Sequence, residues 1–199
     1  MGVRRIASTV LPTAHGEFDL IGYEAGAGGV AKPYVVLSKG ALTAEPAPVL
    51  RIQSQCLTGD AFGSIRCDCG EQLRVAMQMI QTEGQGMIIY HPEEGRGIGL
   101  LNKLRAYELQ DQGIDTVEAN HKLGFDADQR DYSVCAEIVK DLGISRVRLL
   151  SNNPGKLKAL EDAGVRVLER IPIEISPRCS TRKYLKTKKE KLGHWLSQV

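Results

Sequence analysis

Three of the five cysteines fall close together, as Cys56-x10-Cys67-Asp68-Cys69. This spacing constrains the chain more than any other feature. The remaining two, Cys135 and Cys179, lie far away, and an odd count argues against a disulfide framework. Thiolates this close suggest a metal, and soft ligands select zinc. A structural zinc site takes four protein ligands, usually as paired Cys-x2-Cys knuckles. Here the spacing is Cys-x-Cys, with no fourth Cys or His nearby, which is the open pattern of a catalytic site. Three unrelated buried thiols are the competing reading. Cys135 shares a helical face with Tyr132, Ala136 and Val139 and reads as a core residue. Cys179 lies in a Pro-containing connector, from where a loop can still carry it to the metal as a fourth ligand.

The cysteine segment separates two kinds of pattern. Before it, Arg5–Thr9, Phe18–Glu24, Tyr34–Ser38 and Val49–Ser54 read as strands, with 25–33 and 40–48 as hairpin loops of an antiparallel sheet. After it, Leu73, Ala76, Met77 and Ile80 sit at helical spacing, so Gly70–Glu83 is an amphipathic helix. Met87–His91 is a short buried strand. Leu100, Leu101, Leu104 and Leu109 mark a helix over Ile98–Gln112. Further helices are expected over Arg130–Leu142, Asn153–Ala163 and Thr181–Ser197, with strands at Val147–Leu150 and Val165–Arg170. Strands alternating with helices point to an α/β layer in the second half. The fold class is α+β, with mixed β-sheets and packed helices. Residues 1–175 are expected to form one domain and 176–199 a basic, helical tail.

Composition sets outer limits. The chain has 199 residues, of which 42% are apolar and 25% charged, an ordinary globular balance. No stretch approaches the apolar length of a membrane span, and the N-terminus lacks the apolar run of a signal peptide, so a cytoplasmic protein is expected. The net charge of +2 hides an asymmetry: residues 178–199 carry seven Lys/Arg against one Glu, a surplus of +6, and the rest of the chain is −4. Nucleic acid would therefore be sought only at the tail, and a solvated Lys-rich helix is the favoured reading there.

Two turns have the form of anion sites. Pro92–Gly99 links a strand to a helix through a glycine-rich turn that carries Arg96; a tight turn without ligand explains it equally well. Ser151–Lys156 follows a strand and opens a helix, and its Asn and Pro suit an ordinary helix start. The run Asp126–Asp131 sets carboxylates beside Arg130, as a helix cap or beside a phosphate. Arg51, Gln53 and Gln55 share one strand face that leads to Cys56. Of His15, His91, His121 and His194, none is singled out. Together these features describe a zinc hydrolase acting on a phosphorylated substrate.

The run Cys56–Gly70, with Glu94–Leu100, Asp115–Asn120 and Ser151–Pro154, resembles the GTP cyclohydrolase II family. Four separated motifs agree, in order, over nearly the whole chain. The resemblance implies hydrolysis of GTP to a diaminopyrimidinone ribosyl phosphate, formate and pyrophosphate, the first committed step of riboflavin synthesis. It implies one zinc ion per subunit on Cys56, Cys67 and Cys69, with water activated there to attack C8 of the guanine ring. Magnesium accompanies the triphosphate. Arg51, Ile52, Gln53, Ser54, Gln55, Gln72, Glu94, Gly95, Arg96, Thr116, Ser151 and Lys156 would line the GTP site. Asp128 matches the proton acceptor, Arg130 the nucleophile on the α-phosphorus, and Tyr107 a tyrosine close to the zinc. Since a guanidinium stays protonated, Arg130 can instead stabilise phosphate charge.

The resemblance further implies a homodimer and the monofunctional form, since no companion synthase domain precedes the motifs. Typical relatives read His-Ser-Glu where this chain has Gln53-Ser54-Gln55, and Thr where it has Ser151. Relatives that keep the formyl group lack the tyrosine retained here as Tyr107, so formate release is expected. A sister enzyme that opens the ring without releasing formate is the alternative. A zinc-stabilised nucleic-acid binder is a second, disfavoured by the ligand count and the acidic body.

Overall fold

The structure is a computed structural model that describes residues 2–26, 31–43 and 45–199. Its elements, in order, are β1 (Arg4–Thr13), β2 (Gly16–Ala25), β3 (Lys32–Lys39), β4 (Val49–Ser54), α1 (Leu57–Asp60), α2 (Cys69–Glu83), β5 (Gly86–His91), a 3-10 turn (Glu94–Gly97), α3 (Gly99–Asp111), α4 (Thr116–Lys122), α5 (Ser133–Asp141), β6 (Arg146–Leu150), α6 (Pro154–Asp162), β7 (Arg166–Ile171) and α7 (Cys179–Leu192). They divide into two compact units. One comprises residues 1–53, 74–92 and 131–173; the other comprises 54–73, 93–130 and 174–199.

The first unit is built on one seven-stranded mixed sheet of order β1-β2-β3-β5-β4-β6-β7. β1, β2 and β3 form an antiparallel meander, β3 pairs antiparallel with β5, and β6 runs parallel to both β4 and β7. The sheet is therefore α+β in character, as its alternating and continuous apolar runs imply. Strand β2 alternates from Ile21 onward, turning Ile21, Tyr23 and Ala25 to the core, while Phe18 is buried on the opposite face. Strands β4 and β5 are buried almost throughout; β5 is apolar over Met87–Ile89, as a strand covered on both faces must be, whereas β4 buries Arg51 and Gln53 between its apolar residues.

The expected hairpin over 40–48 does not form. β5 inserts between β3 and β4, so the segment leads β3 to a strand that is not its neighbour. The buried run Met87–Ile89 requires a partner on each side, and β3 and β4 supply them. The other expected loop, 25–33, does join an antiparallel pair; residues 27–30 lie outside the described residues.

Helix α5 places Cys135, Ala136, Ile138 and Val139 against the sheet, each fully buried. Cys135 is thus a core residue. Asn153 Oδ1 caps α6 by accepting from the Gly155 N–H at 2.8 Å, with Pro154 at the first helical position.

The second unit is largely helical, holding α1, the 3-10 turn, α3, α4 and α7. Helix α4 has no apolar stripe and escapes a periodicity search. Its start is fixed by Asp115, whose Oδ1 accepts from the N–H groups of Val117 and Glu118 at 2.8 and 3.1 Å. Helix α3 forms close to its expected bounds, but its leucines are not its buried face. Its buried residues are Lys103 and Ala106, whereas Leu101 is 72% exposed and Leu104 is exposed too. The helix turns a charged face inward because that face meets a charged site.

Candidate metal centre

Cys56 ends the approach from β4, Cys67 lies in the turn that follows α1, and Cys69 opens α2. Their Sγ atoms all lie within 4.8 Å of one another, and Cys56 and Cys67 are 3.7 Å apart. Two thiolates on one tetrahedral zinc, each about 2.3 Å from it, stand about 3.8 Å apart. The triad thus has the donor chemistry and the spacing of a zinc site. Cys179 is exposed in the first turn of α7 and outside the cluster.

Gly59, in α1, keeps the space beside the thiols open. A Cβ on Gly59 would meet Cys67 Sγ at 3.0 Å, Cys56 Sγ at 3.1 Å and Cys69 Cβ at 3.2 Å. Overpacking of this kind costs about 1–3 kcal/mol. Gly59→Ala should accordingly weaken zinc binding by about one to two powers of ten, measured by competition with a chromophoric chelator.

The cluster's charge is tuned by its neighbours. The thiol of Cys56 is pushed far below its usual value, first by hydrogen bonds from Cys67 and Cys69, then by Lys103, against the pull of burial. The donors move the other way. Cys67, bonded to Cys56, is pushed up to about 11, and Cys69, bonded to both other thiols and with its thiol buried, is pushed well above its usual value. A dication held by all three offsets that mutual repulsion.

Lys103 reaches the triad from α3. Its Nζ donates to Cys56 Sγ at 3.2 Å, to Thr58 Oγ1 at 3.0 Å and to Glu94 Oε1 at 2.8 Å. Glu94 also accepts from the backbone N–H of Leu57 at 2.7 Å and of Gly95 at 2.9 Å. The Tyr107 hydroxyl meets Thr58 Oγ1 at 3.3 Å, and Thr58 Oγ1 lies 3.7 Å from Cys56 Sγ. Burial raises the Tyr107 pKa, so the phenol stays protonated at neutral pH. Tyr107, expected near the zinc chemistry, thus stands two contacts from a thiol. Lys103 and Thr58 were not anticipated. The legible signal was the Lys103–Tyr107 pair, which shares one helical face.

Gln72 donates through Nε2 to Asp68 Oδ2 at 2.6 Å, just beyond the triad. The turn after β5 holds Gly95 and Arg96 in the left-handed region, both at φ 63°. For a residue with a Cβ this costs about 1–2 kcal/mol. The two terminal guanidinium nitrogens of Arg96 are buried with no hydrogen-bond partner among the described residues, and its Cζ lies 5.8 Å from the Tyr184 ring centroid. A strained backbone and an unspent fork of donors are what an anion site requires.

The segment carrying Asp128 docks on this turn, with Gln129 N–H donating to Arg96 O at 3.0 Å. Arg130 Nε donates to Asp128 Oδ1 at 2.8 Å. Burial opposes ionisation of Asp128, but the hydrogen bonds and charge of Arg130 outweigh it and hold the carboxyl below its usual range. Thr116 is the first residue of α4. The Ser54 hydroxyl oxygen is buried without a hydrogen-bond partner among the described residues, and Gln55 is half-buried.

The remaining expected residues belong to the first unit. Arg51 is buried on β4, where its Nη2 and Nε donate to Gln53 Oε1 at 2.9 and 3.2 Å and its Nη1 donates to Leu150 O at 3.2 Å. Gln53 thus orients a guanidinium with its amide oxygen. Lys156 Nζ donates to Ile52 O at 2.7 Å and lies 5.4 Å from the Tyr132 ring centroid. Ser151 Oγ accepts from the Asn153 N–H at 3.1 Å. His91 is fully buried beside the rings of Tyr34 and Tyr132, at 5.8 and 5.2 Å.

A family model for GTP cyclohydrolase II matches residues 4–172. The chain is 52% identical over 196 residues to a GTP cyclohydrolase-2 of Proteus mirabilis, covering 98% of each. It is 49% identical over 198 residues to one of Escherichia coli, covering 100% of each. It is also 48% identical over 195 residues to the riboflavin biosynthesis protein RibBA of Chlorobium phaeovibrioides, covering 98% of this chain and 47% of that one. Among solved structures, RibBX, a two-domain 3,4-dihydroxy-2-butanone 4-phosphate synthase from A. baumannii, matches 88% of this chain and 41% of its own with a TM-score of 0.50. At 18% identity that match concerns the fold alone. No helix among the described residues is long and apolar enough to cross a membrane.

Proposed function

The chain belongs to the GTP cyclohydrolase II family, and on that premise we propose that it converts GTP and water to a diaminopyrimidinone ribosyl phosphate, formate and pyrophosphate. The observation that carries this reading is the thiol triad, with Cys56 and Cys67 buried, and a tyrosine hydroxyl linked to it through Thr58. Cys56, Cys67 and Cys69 would hold zinc, which supplies a Lewis acid able to activate water near neutral pH.

The chain's own groups then divide the work. Asp128 is ionised at neutrality and can accept a proton. Arg130 stays protonated and bonded to Asp128, so its part is to stabilise charge on the α-phosphate rather than to attack it. Arg96 brings unspent donors for an anion. Arg51 and Lys156 add fixed positive charge for the triphosphate, which magnesium accompanies. Gln53 cannot serve as an acid or base, but as the acceptor for Arg51 it preserves that residue's aim. Tyr107 favours full deformylation over the reading in which the formyl group stays. One zinc per subunit, a homodimer and a cytoplasmic location complete the proposal.

The test is incubation of zinc- and magnesium-loaded protein with GTP while formate, pyrophosphate and product mass are followed together. Release of all three products supports the reading. Pyrophosphate without formate establishes the formyl-retaining alternative, and no turnover overturns both.

A further inference from the structure

The basic C-terminal helix lies beyond the residues that the family model matches. A solvated helix would keep its lysines in water, and most of those in α7 do so. Lys188 does not. It is 8% exposed, and its Nζ lies 3.2 and 3.4 Å from the two carboxylate oxygens of Asp68, itself 2% exposed. Lysine is almost never this buried unless paired. Asp68 is the single residue between Cys67 and Cys69. Its other partners come from Gln72, which donates through Nε2 to Oδ2 at 2.6 Å and through its N–H to Asp68 O at 2.9 Å.

Three further contacts pin α7 to the same unit. Arg178 pairs with Glu71 at 2.6 Å, Lys183 donates to Gly113 O at 2.8 Å, and Lys191 pairs with Asp115 and Glu118. Each is exposed and contributes little alone. Their effect is to hold Lys188 where it is.

We propose that α7 is a working part of the metal centre, with Lys188 as the positioning residue that fixes the Cys67-Asp68-Cys69 turn and neutralises the carboxylate between the two thiols. Three thiolates and a dication leave a net negative charge, and an unpaired Asp68 would add a second beside it. Lys188 cancels that addition. By gripping Asp68 it also fixes the backbone from which Cys67 and Cys69 both project. Groups that orient metal ligands in this way set affinity by one to two powers of ten. The proposal rests on the reading of the triad as a metal site.

The experiment measures zinc affinity of the full chain by competition with a chromophoric chelator, and the thiolate-to-metal absorption band after loading with cobalt(II). Lys188→Met should weaken zinc binding about 10- to 100-fold and shift the cobalt band. Lys188→Arg should restore most of the affinity, and Lys186→Met, on an exposed position of the same helix, should change neither. Asp68→Asn keeps the shape and removes the charge. It breaks the grip on the turn without adding a negative charge, so it should lose part of the affinity even if Lys188→Met does not fold, and in the folded double variant the two losses should not add. Parent-like affinity and an unmoved cobalt band in Lys188→Met, with only thermal stability lowered, overturns the proposal. A parent protein that binds no zinc, or whose zinc binding is indifferent to Cys67→Ser, overturns the metal reading beneath it.

Discussion

Cys67→Ser is expected to bring formate release from GTP below detection while leaving the sheet unit folded. Among the described residues the site offers only three protein ligands, so no spare thiol replaces the one removed. A serine hydroxyl is a hard, protonated donor that a borderline-soft ion binds weakly. Zinc content, measured by atomic absorption, should fall from one per chain to a small fraction. The fold should survive because the core of the sheet unit, from Ile21 and Tyr23 through Leu50, Ile52 and Met87 to Ile138 and Leu160, includes none of the three ligands. Far-ultraviolet circular dichroism checks that separation. Stripping the parent protein with a strong chelator should abolish turnover in the same way, and added zinc should restore it where magnesium does not. Undiminished turnover in Cys67→Ser would remove the triad from the reaction.

What could be read in the sequence divides along a physical line. Elements whose reason is apolar burial were visible, since periodicity reports burial. β2, β4, β5, α2 and α5 lie close to where their patterns place them. The insertion of β5 between β3 and β4 was not visible, because strand pairing is decided by contacts far apart in sequence. Where charge is the reason, the pattern said less. The leucines of α3 marked the helix, yet its buried residues are Lys103 and Ala106. Lys188 sits in a run of lysines with nothing local to set it apart, and only the arrival of Asp68 in three dimensions gives it a role. The cysteine cluster was marked by its spacing and the Asp126–Asp131 run by its charges, whereas Tyr107 was marked by family resemblance alone. Thr58, which connects Tyr107 to Cys56, bears no chemistry that spacing would mark, and the one local sign of Lys103 is its four-residue spacing from Tyr107.

Lys103→Met is expected to be the most damaging substitution outside the ligands themselves. The ammonium group has three donors, and they meet the thiol of Cys56, the hydroxyl of Thr58 and the carboxylate of Glu94. Burial works against its charge, but the bond from Glu94 and the nearby negative groups more than restore it, and the pKa rises. Methionine keeps the volume of the stem and removes every donor. Glu94, 7% exposed, then keeps its two backbone N–H partners but loses its counter-charge. Breaking a buried pair from one side costs about 3–5 kcal/mol, and the surviving N–H donors place this case at the lower end. Zinc affinity or turnover should fall about 10- to 100-fold besides, as when other groups that support metal ligands are lost. Arginine should rescue only part, since its planar fork cannot aim three donors as an ammonium does. The decisive comparison is the double variant with Glu94→Gln, which removes the stranded charge. Denaturant unfolding should find it more stable than Lys103→Met alone, because what the single variant exposes is the cost of an unpaired carboxylate and not the worth of the pair. Additive losses would mean that Lys103 and Glu94 act independently, and that the lysine serves the thiol alone.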